Sequence, residues 1–216
     1  TLSDASAATA AFRPIRTWTG SVRRVWRNTP SSGTDSATGN RQTYDAPGNI
    51  GDGTRTGIEV RGALPLSPLI PNAELRFSGM YQETDVTDPL TGESRRFSTG
   101  RDWTYNVAYR QELPELKSAW GGSAKGNSDK FEYKYLEEIA FDRPGSAIEV
   151  FAETTQIPGV TVRASVTNIF HVEETRVRSF FVGSRASDVL QRTEERKQKG
   201  GPEGTQWVAV RVSGTF

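Results

Sequence analysis

Apolar and polar residues alternate with a period of two along most of this chain, and no apolar stripe with the 3.6-residue period of a helix persists for long. The pattern is cleanest at the end. Val208, Val210, Val212, Gly214 and Phe216 share one face of an extended segment, and Trp207, Ala209, Arg211, Ser213 and Thr215 share the other. Upstream, Val160, Val162, Ala164 and Val166 alternate with Thr161, Arg163, Ser165 and Thr167. Ile148, Val150 and Ala152 alternate with Glu149, Phe151 and Glu153. Ile157-Pro158-Gly159 between those two segments is a tight-turn signal. The same spacing recurs in Trp103–Tyr109, Leu75–Tyr81 and Ile58–Leu64. Two less regular stretches, Ile15–Trp26 and Lys117–Phe141, bring the expected total to about eight strands.

The connections between these segments alternate in length. Pro65–Asn72, Leu113–Leu116 and Gln156–Gly159 are short. Arg27–Thr54, Glu83–Arg101, Asp142–Ser146 with its flanks, and His171–Thr205 are long. Short turns at one end and long loops at the other describe an up-and-down outer-membrane β-barrel, in which the apolar face meets lipid and the polar face lines the interior. A soluble β-sandwich also alternates, with its apolar face on a core, and period alone does not separate the two. In the barrel the final strand runs from the long-loop side to the short-turn side, which puts Phe216 at the periplasmic rim.

Composition narrows the chemistry. The 27 basic and 26 acidic side chains leave a net charge of about +1, without the one-sided basic surface of a nucleic-acid binder. There is no cysteine and one histidine, His171, which removes thiolate metal sites and thiol nucleophiles and leaves few nucleophile–base pairs. We therefore expect no enzyme, no cofactor and no metal. The mean hydropathy of −0.59 and the lack of an apolar run of ~18 residues exclude a transmembrane helix. They leave the strand route open, because a spanning strand needs ~10 residues with only alternate ones apolar.

Several stretches resemble the C-terminal barrel region of TonB-dependent outer-membrane receptors. They are Asp45-Ala46-Pro47-Gly48-Asn49-Ile50-Gly51, Leu64-Pro65-Leu66, Ala73-Glu74-Leu75-Arg76, Val86 to Arg96, and Tyr109-Arg110-Gln111-Glu112-Leu113-Pro114. Val166-Thr167-Asn168-Ile169-Phe170 is similar to the Asn-Leu-Phe element near the penultimate strand, and Val210 to Phe216 to the closing strand. His171 stands where the family often has Asp. The resemblance covers roughly residues 45 to 216. It implies a twenty-two-stranded barrel plugged by an N-terminal domain, of which the whole chain, residues 1–216, is the C-terminal portion. The plug, the earlier strands and the TonB box are not found in it. It further implies energy-coupled uptake of a scarce small molecule, such as a siderophore or an oligosaccharide, at the bacterial outer membrane. The partners so implied are outer-membrane lipid, the barrel-assembly machinery, and, through the rest of the protein, the plug and the TonB complex.

Candidate functional residues follow. Phe216 with Val212, Val210 and Val208 resembles the signal read by the assembly machinery, and the alternation five positions deep favours that over the alternative of an ordinary apolar strand end. Arg61, Arg76, Arg110, Arg163 and Arg211, interleaved with Glu59, Glu74, Glu112, Glu149 and Glu153, are candidates for an interior wall. For any one of them a solvated face is the simpler account, and together they argue for a water-filled or plugged interior. Trp103, Tyr105, Tyr109, Tyr81 and Trp207 could form interfacial girdles or ordinary cross-strand pairs, with Trp207 on the polar parity. The charge run Arg192 to Lys199 is a loop, with a short helix allowed near Val189 and Leu190. Glu137 and Glu138 are neighbours on a strand and face opposite ways, which counts against paired-carboxylate catalysis. Besides the receptor, two readings remain open: a self-contained eight-stranded barrel, closed by pairing of the last strand with Ile15–Trp26, and a secreted soluble sandwich.

Overall fold

The computed structural model describes residues 11–22, 26–34, 41–67, 69–198 and 205–214; Phe216 lies outside them. Fifteen strands form among the described residues: β1 (Ala11–Val22), β2 (Trp26–Thr34), β3 (Arg41–Asn49), β4 (Gly53–Pro65), β5 (Ala73–Thr87), β6 (Ser94–Arg95), β7 (Trp103–Leu113), β8 (Ser118–Asn127), β9 (Lys130–Tyr133), β10 (Glu137–Asp142), β11 (Ala147–Thr154), β12 (Val160–Thr167), β13 (Glu174–Phe181), β14 (Leu190–Gln198) and β15 (Trp207–Gly214). The chain is all-β and its sheets are antiparallel.

One sheet dominates, in the order β1-β4-β5-β7-β8-β11-β12-β15, with β6 added beside β5. It is a meander whose connections alternate. At one end the crossings are brief: residues 66–72, 114–117 and 155–159. Turn chemistry makes them possible. Pro158 and Gly159 supply the central positions of a turn closed by the Val160 N–H on the Ile157 carbonyl at 3.0 Å, and Gly159 adopts φ +74°, which a residue with a Cβ rarely takes. Pro114 opens a single 3-10 turn that ends at Lys117. At the other end every crossing is a structured excursion carrying β2–β3, β6, β9–β10 or β13–β14. β13, β14, β9 and β10 form a second sheet, β14-β13-β10-β9, and β2–β3 is a separate hairpin.

Register carries the sequence pattern unbroken across the main sheet. Ile58 lies opposite Tyr81, which lies opposite Trp103; Leu64 is opposite Leu75 and Leu75 opposite Tyr109. Tyr109 is opposite Gly122, Gly122 opposite Val150, Val150 opposite Val166 and Val166 opposite Val208. The alternating apolar residues of β4, β5, β7, β8, β11, β12 and β15 therefore fall on one face, with Met80, Phe151 and Trp207 as large apolar side chains on the other. Glu59, Arg61, Glu74, Arg76, Arg110, Glu112, Glu149, Glu153, Arg163 and Arg211 fall on the other.

Nothing among the described residues covers the apolar face. Val208, Val210 and Val212 are 71%, 67% and 66% exposed, and Trp103, Trp120, Tyr81, Val107 and Val150 are also exposed. The buried apolar side chains lie largely at the excursion end, where Ile50, Val86 and Phe97 form a small core and Ile139 and Phe141 are enclosed in the second sheet.

Glycines shape both faces through the room they leave. A Cβ on Gly62 would stand 2.5 Å from the Phe77 ring, and one on Gly126 2.6 Å from the Tyr105 ring, so each aromatic lies flat over the glycine directly across from it. On the polar face a Cβ on Gly121 would meet the Phe151 ring at 2.9 Å and strike the Tyr109 carbonyl.

Several sequence expectations change. Lys117–Phe141 is three strands rather than one: β8 ends at Asn127, and the chain turns through Ser128 and Asp129 into β9 and then β10. The expected Ile15–Trp26 strand is β1 ending at Val22, with β2 starting at Trp26. The expected loop Glu83–Arg101 begins later, since β5 continues to Thr87. The expected loop His171–Thr205 holds the β13–β14 hairpin, and the helix allowed near Val189 is instead strand β14 from Leu190, preceded by one 3-10 turn at Arg185–Ser187. In this hairpin Arg178 on β13 sits directly opposite Glu194 on β14. Among the described residues β15 pairs only with β12 and β1 only with β4, so no closed barrel forms.

The glycine geometry makes a stability prediction. Gly121→Ala is expected to cost about 1–3 kcal/mol in urea denaturation, the usual range for overpacking. Gly79→Ala, whose Cβ would have its nearest neighbour at 3.8 Å, is expected to change stability by less than about 0.5 kcal/mol. Equal effects at the two positions would show that the contact with Phe151 does not matter.

Candidate functional site

The polar face of the main sheet holds a hollow of about 360 Å³ lined by residues of β5, β7, β8, β11 and β12, among them Arg76, Arg110, Glu149, Phe151 and Arg163. It exists because β8 presents small side chains here. Ala119, Gly121 and Ser123 leave space above β8, so residues of β7 and β11 meet across it. Arg110 Nη2 on β7 reaches Glu153 Oε1 on β11 at 2.9 Å, and its Nε donates to Glu112 at 2.6 Å. Arg163 donates from Nη2 to Glu149 at 3.0 Å, holds Nη1 3.8 Å from Glu153, and stacks its guanidinium 3.6 Å above the Phe151 ring. Arg110 lies 5.7 Å from the same ring. Phe151 is thus a hydrophobic floor between two cations, an arrangement favoured by the ring quadrupole.

All five predicted arginines lie on this face. Arg61 pairs with Glu59, and Arg76 with Glu74. Arg211 is different. Its register partner on β12 is Arg163, a like charge, and Arg211 has no ion-pair partner among the described residues. Val208, Val210 and Val212 lie together on the apolar face beside Val166, Ala164 and Val162.

The aromatics of the apolar face form two groups. Tyr81, Trp103 and Tyr105 lie toward the excursion end, with Trp103 and Tyr105 stacked at 5.8 Å. Toward the short-turn end Tyr109 and Trp120 meet edge-on at 5.3 Å, and both donate to Gln111 Oε1, at 3.2 and 3.0 Å. Trp103 and Tyr109 are about 20 Å apart along β7 at ~3.3 Å per residue. Trp120 was not anticipated, although its parity with Gly122 and Ala124 would have placed it here. Trp207 falls on the opposite face, as its parity predicts.

A second cluster joins the excursions. Asp88, 1% exposed, accepts from Arg95 Nε at 2.6 Å and Arg185 Nη2 at 2.7 Å, while its other oxygen accepts from the Leu90 N–H at 2.8 Å. Tyr133 packs beside both cations, 4.4 Å from Arg95 and 5.4 Å from Arg185. Arg185 also donates to the Lys134 carbonyl at 2.6 Å. The Tyr135 N–H donates to Asp45 of β3 at 2.8 Å. Four excursions are therefore tied by polar contacts. Burial on its own would raise the Asp88 carboxyl, but the bonds from Leu90, Arg185 and Arg95 outweigh it and hold Asp88 below the usual carboxylate range. Glu138 is shifted the other way: burial raises it more than Arg185, Arg95 and Arg96 lower it. Glu137, on the opposite side of β10, bonds Arg178 at 2.6 Å and Lys134 at 2.9 Å, so the two glutamates do not converge.

Asn168 explains the Asn-Ile-Phe element. It is fully buried with φ +55°, and its side-chain amide both donates to and accepts from the Val172 backbone, at 3.0 and 2.9 Å. This locks the exit from β12 toward the excursion. Among the described residues no group of His, Asp and Glu could hold a metal ion. No described helix is long and apolar enough to cross a membrane, which says nothing of strands.

Fold and faces thus define an antiparallel all-β protein with one charged sheet face and one bare apolar one. No family model, curated protein or solved structure matches the chain.

Removing the Asp88 charge leaves two buried cations unpaired. Asp88→Asn is expected to destabilise by about 3–5 kcal/mol and to raise hydrogen exchange in β9, β10 and the Arg185 turn. Because the Asp88 value is lowered by folding, its contribution is complete above the unfolded carboxylate value of about 3.9 and fades as pH falls through the still lower native value. Wild type and Asp88→Asn are therefore expected to converge in stability only in strong acid. Convergence near pH 5 would refute the assignment.

Proposed function

We propose that this chain is a section of the wall of a bacterial outer-membrane β-barrel, the C-terminal part of a receptor of the TonB-dependent kind. The observation that carries the reading is the inside-out sheet. An apolar face continuous over seven strands, the face that a soluble sandwich would bury, is exposed, while the opposite face carries paired arginines and glutamates. An exposed apolar area of this extent marks a surface that belongs against lipid or another protein. A lipid-facing wall also accounts for strands of 8 to 15 residues, two aromatic groups toward opposite ends of the sheet, and excursions confined to one end.

In this reading the excursions face outward and gather a scarce ligand, a metal chelate or an oligosaccharide. The Arg110–Phe151–Arg163 hollow lines the interior passage, where a plug and a passing solute would meet it. β15 descends to the periplasmic rim, with Val208, Val210 and Val212 presented to lipid and to the assembly machinery, and Phe216 following them. The energy comes from the TonB complex acting on parts of the receptor outside these residues. A soluble sandwich would need a covering layer over the apolar face, and no described element supplies one.

Depth-dependent fluorescence quenching tests the wall. With brominated lipids in vesicles, a chain retaining only Trp120 is expected to be quenched several-fold more than one retaining only Trp207. Equal quenching, or a monodisperse chain in plain buffer, would refute the membrane assignment. Transport is tested separately: cells lacking the gene, and cells lacking the TonB complex, are both expected to lose growth on the same scarce nutrient. Growth that needs the gene but not the complex would rule out the receptor.

A further inference from the structure

The second sheet, β14-β13-β10-β9, carries one cross-strand row unlike its neighbours. Lys130 lies opposite Phe141, Phe141 opposite Arg176, and Arg176 opposite Arg196, so three cations and a ring stand side by side with no acid among them. The next row reads Glu132, Ile139, Arg178 and Glu194, and the row beyond it places Phe180 between Glu137 and Arg192. In those two rows the charges are matched. Arg178 bonds Glu137 at 2.6 Å and lies 3.7 Å from Glu194, which holds Arg192 at 3.1 Å. The acids one step from the first row are turned to other cations: Glu174 faces Arg101 at 3.3 Å, and Glu194 is engaged by Arg192. Lys130 comes no nearer than 3.8 Å to Glu132. Among the described residues neither Arg176 nor Arg196 has an ion-pair partner.

Opposed arginines also occur in the main sheet, at Arg13–Arg61 and Arg163–Arg211, but there one member is held by a glutamate: Arg61 by Glu59 and Arg163 by Glu149. At Arg176–Arg196 neither is held, and Arg176 Nε is buried without a hydrogen bond. Like charges directly opposite one another destabilise a strand pair, and an anion bound between them offsets that cost. Such an anion displaces no carboxylate here, whereas at Arg61, Arg76, Arg110 or Arg163 it would compete with one. Phe141 fixes the cations in place: Lys130 Nζ lies 4.1 Å and the Arg176 guanidinium 5.7 Å from its ring centre. We propose that Arg176 and Arg196, with Lys130 beside them, form a binding site for a phosphate monoester. Two guanidiniums on neighbouring strands, their Cβ atoms ~5 Å apart, can both donate to one phosphate. Three cations suit a group that is close to dianionic at neutral pH better than they suit a single carboxylate. The site belongs to the second sheet alone and does not depend on whether lipid covers the apolar face of the main sheet.

Calorimetric titration of the full chain with inorganic phosphate, in an uncharged maltoside detergent at constant ionic strength and neutral pH, tests the site. Binding with a Kd of about 1 mM or tighter is expected. Arg176→Gln and Arg196→Gln are each expected to weaken it about tenfold, the worth of one charge-assisted hydrogen bond. Arg76→Gln, in the main sheet and paired with Glu74, is expected to change it by less than about twofold. Arg196→Glu is expected to abolish binding and at the same time to slow hydrogen exchange in β13 and β14, because it gives Arg176 an opposite charge across the pair. A variant that loses binding yet is better protected has not unfolded. Glucose 1-phosphate and vesicles containing phosphatidic acid are then set against bound phosphate. Displacement by the first assigns a soluble ester, and displacement by the second a membrane headgroup. Displacement by neither, no binding of phosphate, or binding that survives both glutamine variants would overturn the proposal.

Discussion

Register is the constraint on which everything else in this molecule rests. Side chains of a strand alternate between faces, so a slip of one residue between any two neighbours would move a whole strand's apolar set to the charged side. Across β4, β5, β7, β8, β11, β12 and β15 no such slip occurs. The one irregularity in the main sheet lies between Arg13 and Arg16, where β1 meets β4. Short turns hold the register at one end. At the other it is held by Asn168, buried at the exit of β12, and by the Gln82 amide, which bonds the Arg101 carbonyl at 2.7 Å where β7 begins.

The two faces then behave as different materials. On the apolar face, aromatic rings lie over glycines of the next strand, at Phe77–Gly62 and Tyr105–Gly126, which keeps the surface filled without lengthening the side chains around it. On the charged face, the small residues of β8 let Arg110 reach past one strand to Glu153 on the next. Arg163 and Arg110 share Phe151 and Glu153, so these groups act as one network and their contributions are not separable.

What could be read in advance depended on whether period or partner set the structure. The strands with clean alternation, such as Val160–Val166 and Val208–Val212, were legible to the residue, and so were the faces of Arg61, Arg76, Arg110, Arg163 and Arg211. The all-β class and the split between short turns and long connections were legible for the same reason. β13 and β14 were not, because Arg192 to Gln198 is charged on both parities and leaves no apolar face to detect. Asp88 was hidden more deeply. Thr87-Asp88-Pro89-Leu90-Thr91-Gly92 reads as an ordinary turn, and nothing local announces that its carboxylate closes on an arginine 97 residues later. Phe151 carried a weak signal, an aromatic between two glutamates on the polar parity, whose meaning depends on Gly121 in another strand.

The Asp88 knot has a consequence for how such a protein can change over generations. Segments at strand connections are ordinarily the freely exchanged parts of a β fold, altered one at a time while the scaffold persists. Here the stretch around Asp88 and Arg95, the stretch around Tyr133 and the stretch around Arg185 share one buried charge balance. Replacing any one of them with an unrelated sequence strands the other two. The physical consequence is that these stretches are expected to tolerate exchange only as a set, with the carboxylate and its two cations kept in place.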